Sequence, residues 1–164
     1  MKIDPFDYRA VIGHFATGVT VITTAAGDEL QGMTANAVAS LSLDPVMLLV
    51  CVEKGTYTHR VIEQGRVFAV NVLGDHQEDI SRLFAQHAEP ELGSLRGVPF
   101  RRGVTGAPVL EDCVAFLECR VASIHSGGDH SMVIGEVVEQ GIVRDGAPLL
   151  FFRGRYRTLA PPAE

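Results

Sequence analysis

Short apolar runs with a period of two residues recur along most of the chain. Residues 19–24 consist only of valine, isoleucine and threonine, and such a run of β-branched residues is typical of a β-strand. The turn Ala26-Gly27-Asp28 then leads into a second extended run through Thr34, so the two runs predict a hairpin. Similar runs predict six further strands, at residues 37–42, 47–52, 67–72, 113–124, 131–140 and 149–153.

Helical spacing occurs in three places only. The start signal Asp4-Pro5 precedes apolar side chains at helical intervals, which predicts an amphipathic helix that ends near His14. Two more helices are predicted over residues 58–64 and 77–87. Residues 89–106 are rich in Gly, Pro and Arg and show no period, so we expect them to form a long surface excursion.

The order of these elements favours a mainly β fold. Strands mostly follow one another, and the helices are few and short, which indicates an antiparallel barrel with helices packed outside instead of an alternating βαβ sheet. The 164 residues are expected to form a single domain over residues 1–164, with an ordered core at about residues 6–159.

The charge balance limits the partners of the chain. Twenty acidic residues against fourteen basic ones give a net charge of -6, which argues against nucleic acid or an anionic membrane as the main partner. The longest apolar run, residues 46–52, is too short to cross a bilayer. The segment 10–26 does not fit a secretory signal, because a histidine and several threonines interrupt it. We therefore expect a cytoplasmic protein.

The common catalytic and metal-binding motifs do not occur in the sequence. Cys51, Cys113 and Cys119 lie in apolar stretches without a CxxC pair, so we expect reduced thiols that lie in the core or line a site. The six histidines have no HxH or HExxH spacing, and we expect no metal. The sequence also has no GxGxxG, GxxxxGK[ST] or GxSxG motif, so Rossmann, P-loop and serine hydrolase sites are not indicated.

Small polar residues cluster at residues 32–36 and 40–45, where strands are usually apolar. One interpretation is that they belong to edge strands that face water. The other is that hydroxyls, an amide and free backbone groups form a ledge for a planar heterocycle such as the pyrimidine end of a flavin. The residue pattern alone leaves both open.

Several blocks of the sequence together carry a family resemblance. They are HFATGVTV at 14–21, GMTANA at 32–37, SLSLDP at 40–45, FAVNVL at 68–73, GGDH at 127–130 with IGEV at 134–137, and FRGRY at 152–156. In this order the blocks resemble the short-chain flavin reductases, which are the reductase partners of two-component flavin-dependent monooxygenases.

The resemblance implies a split β-barrel that binds FMN or FAD and forms a homodimer. It also implies that NADH or NADPH reduces the flavin, which then serves a separate monooxygenase. Catalysis would need few reactive side chains, because the cofactors carry the hydride chemistry and the protein supplies orientation and shielding from water.

The resemblance further implies roles for individual residues. The flavin ring and ribityl chain would contact Gly32, Met33, Thr34, Ala35, Asn36, Ser40, Leu41 and Ser42, with Cys51 and Val52 lining the ring. The flavin phosphate would be held by Lys54, Thr56 and Thr58, at the start of the second predicted helix. His130 and Tyr156 would face the nicotinamide, and His130 would position it.

Two other functions remain open from the sequence. A flavin-binding or flavin-storage module of the same shape would have no turnover of its own. An FMN enzyme similar to pyridoxamine-phosphate oxidase would need a denser set of basic residues, and only Lys54 and Arg60 occur near the expected phosphate loop. A purely structural interaction protein would leave the polar residues at 34–42 unexplained.

Overall fold

The computed structural model describes residues 2–160, so Met1 and residues 161–164 of the predicted domain lie outside the described part. Within this range the helices are α1 (Pro5–Ile12), α2 (Tyr57–Gly65) and α3 (Glu78–Phe84), and none of them is long and apolar enough to cross a membrane. The strands are β1 (Thr17–Gly18), β2 (Thr20–Ala26), β3 (Glu29–Ala35), β4 (Val38–Leu43), β5 (Val46–Glu53), β6 (Val67–Val72), β7 (Glu91–Leu92), β8 (Phe100–Arg102), β9 (Pro108–Leu110), β10 (Ala115–Gly127), β11 (His130–Ile142), β12 (Leu150–Phe152) and β13 (Arg155–Arg157).

Eight of these strands form one antiparallel sheet. Their order is β4, β5, β11, β10, β6, β2, β3 and β7, and smaller sheets pair β1 with β12 and β13, and β8 with β9. The predicted mainly β fold, an antiparallel split barrel with a few short helices outside, is confirmed. The expected hairpin of the first two long strands is also present, with Thr20 opposite Ala35 and Ala26 opposite Glu29.

The core lies on both faces of β2 and β6. Val21 and Ala69 belong to one apolar cluster, whereas Ile22 and Phe68, their sequence neighbours, belong to a second cluster. Since successive side chains of a strand point to opposite faces, both faces of these strands are buried. Helix α2 contributes Ile62 to the second cluster.

Asn71 of β6 ties a short strand to this core. Its side chain is fully buried, and Nδ2 donates to the carbonyl of Val21 and to Oγ1 of Thr23, both at 3.0 Å. Oδ1 accepts a hydrogen bond from the N–H of Leu110 at 2.9 Å. Thr23 in turn donates to the carbonyl of Pro108 at 2.5 Å. The amide of Asn71 therefore attaches β9 to the main sheet.

The β10–β11 hairpin is longer than the sequence pattern predicts. Each strand has 13 residues, and the strands run to Gly127 and from His130 onward. The connection that we expected to span residues 125–130 is therefore reduced to Gly128 and Asp129, where Gly128 has a φ of 68° that side chains other than glycine rarely adopt. The tip places His130 at the first position of β11.

The structure corrects the expectation for residues 89–106. The segment contains β7, which pairs with β3, and β8, which pairs with β9, and Leu95 is only 2% exposed within the core. Strands of two and three residues are too short to show a period in the sequence. For the same reason, the eight predicted strands are fewer than the strands found in residues 2–160.

The predicted amphipathic helix forms as α1 but buries none of its residues. The Asp4 carboxylate caps it by accepting from the N–H of Phe6 at 2.7 Å. Phe6 itself is 78% exposed, and Val11 and Phe15 are also exposed. The apolar face of α1 therefore has no cover within the described part of the chain.

Replacing Asn71 with alanine should lower the free energy of unfolding by about 2 kcal/mol or more, because the buried N–H of Leu110 loses its acceptor and two bonds to β2 are lost. Urea denaturation measures the change. Gln140→Ala, at an exposed position of β11, is the control. An equal change in the two variants would contradict this role for Asn71.

Candidate functional site

The outer edge of β3 is the base of the candidate site. β3 pairs with β2 along its whole length, but β7 covers its other edge only at Glu29 and Leu30. The backbone groups on that side of residues 31–35 therefore have no strand partner. An edge of this kind offers alternating donors and acceptors to a ligand. Four of the predicted flavin contacts, Gly32, Met33, Thr34 and Ala35, lie on this edge.

One cleft lies between the β3 edge and the beginning of α2, and we call it the α2 cleft. It has a volume of about 190 Å³. Its walls come from β3, from the turn before α2 and from the segment after α3, and they consist of residues 31–34, Glu53, residues 56–58 and residues 84–88. The predicted residues Gly32, Met33, Thr34, Thr56 and Thr58 all line it.

The two threonines predicted to bind the phosphate differ in whether their hydroxyls are free to bind a ligand. The hydroxyl of Thr56 donates to the carbonyl of Glu53 at 2.8 Å and accepts from the N–H of His59 at 3.2 Å, so it caps α2. Thr58 is 4% exposed, lines the cleft, and makes no side-chain hydrogen bond with the described residues. The free hydroxyl at the start of α2 is therefore that of Thr58.

Gly32 has a packing role at the α2 cleft. A Cβ at this position would lie 2.7 Å from the Phe84 ring, which fills the space beside the glycine. Phe84 is buried and closes the cleft from the side of α3. Only glycine lets the ring approach the strand this closely.

A second, larger cleft lies on the other side of Asn36, and we call it the apolar cleft. Its volume is about 720 Å³, within the range of roughly 300–1,000 Å³ that is common for small-molecule sites. The wall is mostly apolar and contains Ile12, Phe15, Val38, Leu49, Cys51 and Phe151, with Arg9, Thr17 and Asn36 as polar members. The predicted residues Asn36 and Cys51 are therefore brought together here.

Thr17 has an unusual hydroxyl in the wall of the apolar cleft. Its Oγ1 is buried and has no hydrogen-bond partner among the described residues. A buried hydroxyl without a partner is energetically costly. A flavin ring system, which combines a flat apolar face with polar edges, fits an apolar wall of this kind with isolated polar groups.

A third cavity, the middle cleft, shares wall residues with each of the other two. It has a volume of about 270 Å³ and is lined by Thr34, Ala35 and Asn36 together with Ser81, Ala85 and Tyr156, among others. Thr34 also lines the α2 cleft, and Asn36 also lines the apolar cleft. The three clefts thus follow one another along the end of β3.

Tyr156 is held firmly in the middle cleft. Its hydroxyl lies 2.8 Å from Oγ of the buried Ser81, and Ser81 also accepts from Thr34 through its carbonyl at 2.6 Å. The guanidinium of Arg82 lies 4.9 Å from the centre of the Tyr156 ring. The rings of Phe151 and Tyr156 pack edge to face, with their centres 5.5 Å apart. These contacts fix the ring between α3 and the β12–β13 pair.

His130 lies at the hairpin tip, apart from Tyr156. It is the β partner of Glu53, the last residue of β5, and its Nδ1–H donates to the carboxylate of Asp129 at 2.7 Å. This hydrogen bond is the main reason that the pKa of Asp129 is lowered from its ordinary value. Nε2 of His130 is left as the free nitrogen of the ring.

Other predicted residues lie outside the three clefts. Ser40, Leu41 and Ser42 lie on β4, the edge strand of the sheet, and Ser42 accepts from the N–H of Asp44 at 3.3 Å. The side chain of Val52 is fully buried in the second core cluster, so only its backbone could face a ligand. The ammonium of Lys54 lies on the β10–β11 hairpin, where it contacts Ser126 and Gly128.

The thiols behave as core residues, with one exception. Burial raises the pKa of Cys113 to about 11 and that of Cys119 to about 12. Both are fully buried and protonated at neutral pH, so they are poor nucleophiles. Cys51 is half-buried and lines the apolar cleft. The expectation of reduced thiols in the core or at a site agrees with these positions.

Several residues of the clefts were not selected from the sequence. Thr17 and Gly154 lie within the family blocks 14–21 and 152–156, so the resemblance contained a signal for them. Ser81 and Phe84 lie on α3, where the residue pattern indicated only a helix. Residues 85–88 line the α2 cleft but carry no motif.

The comparisons with known proteins agree with this geometry. Residues 12–160 match the family model described as "Flavin reductase like domain". The reductase subunit HsaB of a flavin-dependent monooxygenase from Mycobacterium tuberculosis is 40% identical over 162 residues, which are 98% of this chain and 85% of that protein. The NADH-dependent FAD reductase of Streptomyces globisporus is 40% identical over 169 residues, covering 99% of this chain and 91% of that protein.

A solved structure also superposes over the whole chain. It is the NADH:FAD oxidoreductase of Streptomyces globisporus C-1027 in complex with NAD and FAD fragments, with a TM-score of 0.88 at 38% sequence identity. The match covers 100% of this chain and 99% of that chain.

Proposed function

The chain belongs to the flavin reductase-like domain family, and we propose that it is the NAD(P)H-dependent flavin reductase of a two-component monooxygenase. It transfers a hydride from NADH or NADPH to FMN or FAD and supplies the reduced flavin to a separate oxygenase. The observation that carries this proposal is that neighbouring clefts share wall residues, Thr34 between the α2 and middle clefts and Asn36 between the middle and apolar clefts.

The order of the clefts suits the parts of a flavin. The apolar cleft, with Cys51, Asn36 and the unpartnered hydroxyl of Thr17, would hold the ring. The middle cleft would hold the ribityl chain beside Thr34 and Ala35. The α2 cleft would hold the phosphate, because helix N-termini attract anions and Thr58 adds a free hydroxyl there.

The protein acts on the reaction by positioning. When bound, the flavin supplies the N5 atom that accepts the nicotinamide hydride. The clefts shield the ring from water and hold it in one orientation. His130 can accept a hydrogen bond from the nicotinamide carboxamide through Nε2, because Asp129 fixes the proton on Nδ1. No residue needs to move a proton for the hydride transfer itself.

The exposed apolar surface supports a homodimer. The uncovered face of α1 and the edge strand β4 both border the apolar cleft. Phe6, Phe15, Leu41 and Leu43 are exposed on these two elements or directly beside them. Apolar surface of this kind on a sheet edge is typically covered by another copy of the chain in a twofold dimer.

Purified protein mixed with FMN or FAD should reduce the flavin on addition of NADH. Anaerobic stopped-flow absorbance measures the bleaching, which should be at least about tenfold faster than in the same mixture without protein, because binding orients the two cofactors. If the protein binds flavin tightly but NADH reduces the flavin no faster than free flavin, the protein is not a reductase and the flavin-storage function is supported instead.

The variant Thr58→Val should weaken FMN binding by at least about tenfold, since a hydrogen bond to a charged group contributes roughly 1.5–3 kcal/mol. Riboflavin, which has no phosphate, should bind as before. Fluorescence titration measures both affinities, and Thr158→Val, at an exposed position, is the matched control. Equal losses for riboflavin and FMN would rule out a phosphate contact.

Light scattering at micromolar concentration should give twice the mass of the chain. Leu43→Glu should shift the protein toward the monomer, because it places a charge on the exposed apolar surface of β4. Leu92→Glu, an equally exposed leucine on β7, is the control and should leave the mass unchanged. A strict monomer in the unchanged protein would contradict the homodimer.

A further inference from the structure

The loop that follows β5 and the tip of the β10–β11 hairpin meet beside the α2 cleft. Glu53 is the β partner of His130, which brings the last residue of β5 to the first residue of β11. Four residues later, α2 begins at Tyr57 behind its cap Thr56. The chain segment that lines the α2 cleft is therefore continuous with the segment that pairs with the hairpin tip.

Lys54 holds this junction through both its backbone and its side chain. Its backbone N–H donates to the carbonyl of Asp129 at 2.9 Å. Its ammonium donates to Oγ of Ser126 and to the carbonyl of Gly128, each at 2.6 Å. One residue therefore makes three hydrogen bonds to the tip, two to the turn residues Gly128 and Asp129 and one to Ser126 at the end of β10. The ammonium is not part of the wall of the α2 cleft.

The same contacts reach His130 through Asp129. The carboxylate of Asp129 accepts from Nδ1 of His130 at 2.7 Å, and this bond is the first cause of the lowered pKa of Asp129. The positive charge of Lys54 acts in the same direction on that pKa. Lys54 thus holds the backbone of Asp129, whose carboxylate accepts the hydrogen bond that orients the ring of His130.

A second link joins the hairpin to α2. Nε2 of His59 and Oγ of the buried Ser131 lie 2.8 Å apart, and Nδ1 of His59 lies 3.4 Å from Glu63 one turn later. Ser131 is the residue after His130, so the start of α2 and the start of β11 are held in a fixed relation. The tip cannot shift without also disturbing this contact.

We propose that Lys54 is a positioning residue for His130 and not a ligand of the flavin phosphate. Through these hydrogen bonds it holds the hairpin tip, and with it the histidine proposed to orient the nicotinamide, in a fixed relation to the start of α2. This inference rests on the proposed reductase function. It differs from the role implied by the family resemblance, in which the charge of Lys54 would bind the phosphate directly.

The two roles predict different kinetic effects. Without the ammonium, the Gly128 carbonyl and the Ser126 hydroxyl lose their donor, and the tip is held only by its backbone hydrogen bonds and by the contact of His59 with Ser131. The start of α2 keeps its cap and the hydroxyl of Thr58, so the phosphate site stays intact. A positioning role therefore affects the nicotinamide half of the reaction, and a phosphate role affects flavin affinity.

The test compares Lys54→Met with the control Lys2→Met, since Lys2 is the other lysine of the chain. Lys54→Met should bind both FMN and riboflavin within about twofold of the unchanged protein. Its rate of flavin reduction at subsaturating NADH should fall about tenfold, mainly through a higher KM for NADH. Ser126→Ala removes one of the two acceptors and should give a smaller loss of the same kind.

A double-mutant cycle then asks whether Lys54 acts through His130. His130→Ala should itself keep flavin affinity within about twofold and slow reduction at subsaturating NADH at least tenfold. The double variant Lys54→Met/His130→Ala should be no slower than His130→Ala alone, because the lysine has nothing left to position. Losses that multiply would show that Lys54 acts independently of the histidine and would overturn the inference.

The remaining outcomes separate this inference from the proposed function. A selective loss of FMN affinity over riboflavin in Lys54→Met would make the lysine a phosphate ligand. Unchanged NADH kinetics in Lys54→Met, with an active unchanged protein, would refute the positioning role alone. An unchanged protein that binds flavin but does not oxidise NADH would refute the reductase function, whatever the variants do.

Discussion

The antiparallel pairing of the β10–β11 hairpin is the constraint on which the rest of the structure depends. Residues 115–120 of β10 pair with β6, and residues 130–136 of β11 pair with β5, so one hairpin joins both halves of the sheet. Gly135 makes this junction close, because a Cβ there would lie 2.5 Å from the ring of Phe68 on β6. The register of β11 on β5 also fixes His130 opposite Glu53, which places the hairpin tip beside the beginning of α2.

The site follows from what this pairing leaves uncovered. β2 and β6 are buried on both faces and need all their partners, whereas β3 keeps an open edge beyond Leu30. α3 and the segment after it lie along that edge without pairing to it, and the α2 and middle clefts remain between them, while the apolar cleft lies beyond Ala35 beside α1, β4 and β5. A ligand with a flat apolar ring and a polar chain can therefore lie along the backbone. The reactive groups come from the cofactors, and the buried thiols of Cys113 and Cys119 take no part.

The sequence was informative where the patterns are long and regular. The strands around Ile22, Val50 and Val70 lie in clear runs of β-branched and apolar residues, and all three residues are buried in the sheet. The two-residue and three-residue strands were missed, because pairing partners such as Glu29 for Leu92 are distant in the chain. The apolar spacing of α1 predicted a helix correctly, but spacing cannot tell whether the cover of an apolar face comes from the same chain.

The candidate site, too, could be predicted only in part from local sequence patterns. Polar residues such as Thr34 and Asn36 stood out in the sequence, and the structure brings them to adjoining clefts. The direction of a long side chain could not be predicted from the sequence, because it depends on contacts between distant segments. Lys54 reaches Ser126, which is 72 positions away, and Tyr156 reaches Ser81, which is 75 positions away. Neither contact has a signature in a local sequence pattern.

In the proposed binding mode, one flavin lies along the end of β3 and fills all three clefts. A crystal structure of the protein with bound FMN is the decisive measurement. We expect electron density for the ring beside Cys51 and Asn36, for the ribityl chain along Thr34, and for the phosphate at Thr58 and the start of α2. Density for the ring in any other place, or a phosphate held by the ammonium of Lys54, would refute this binding mode.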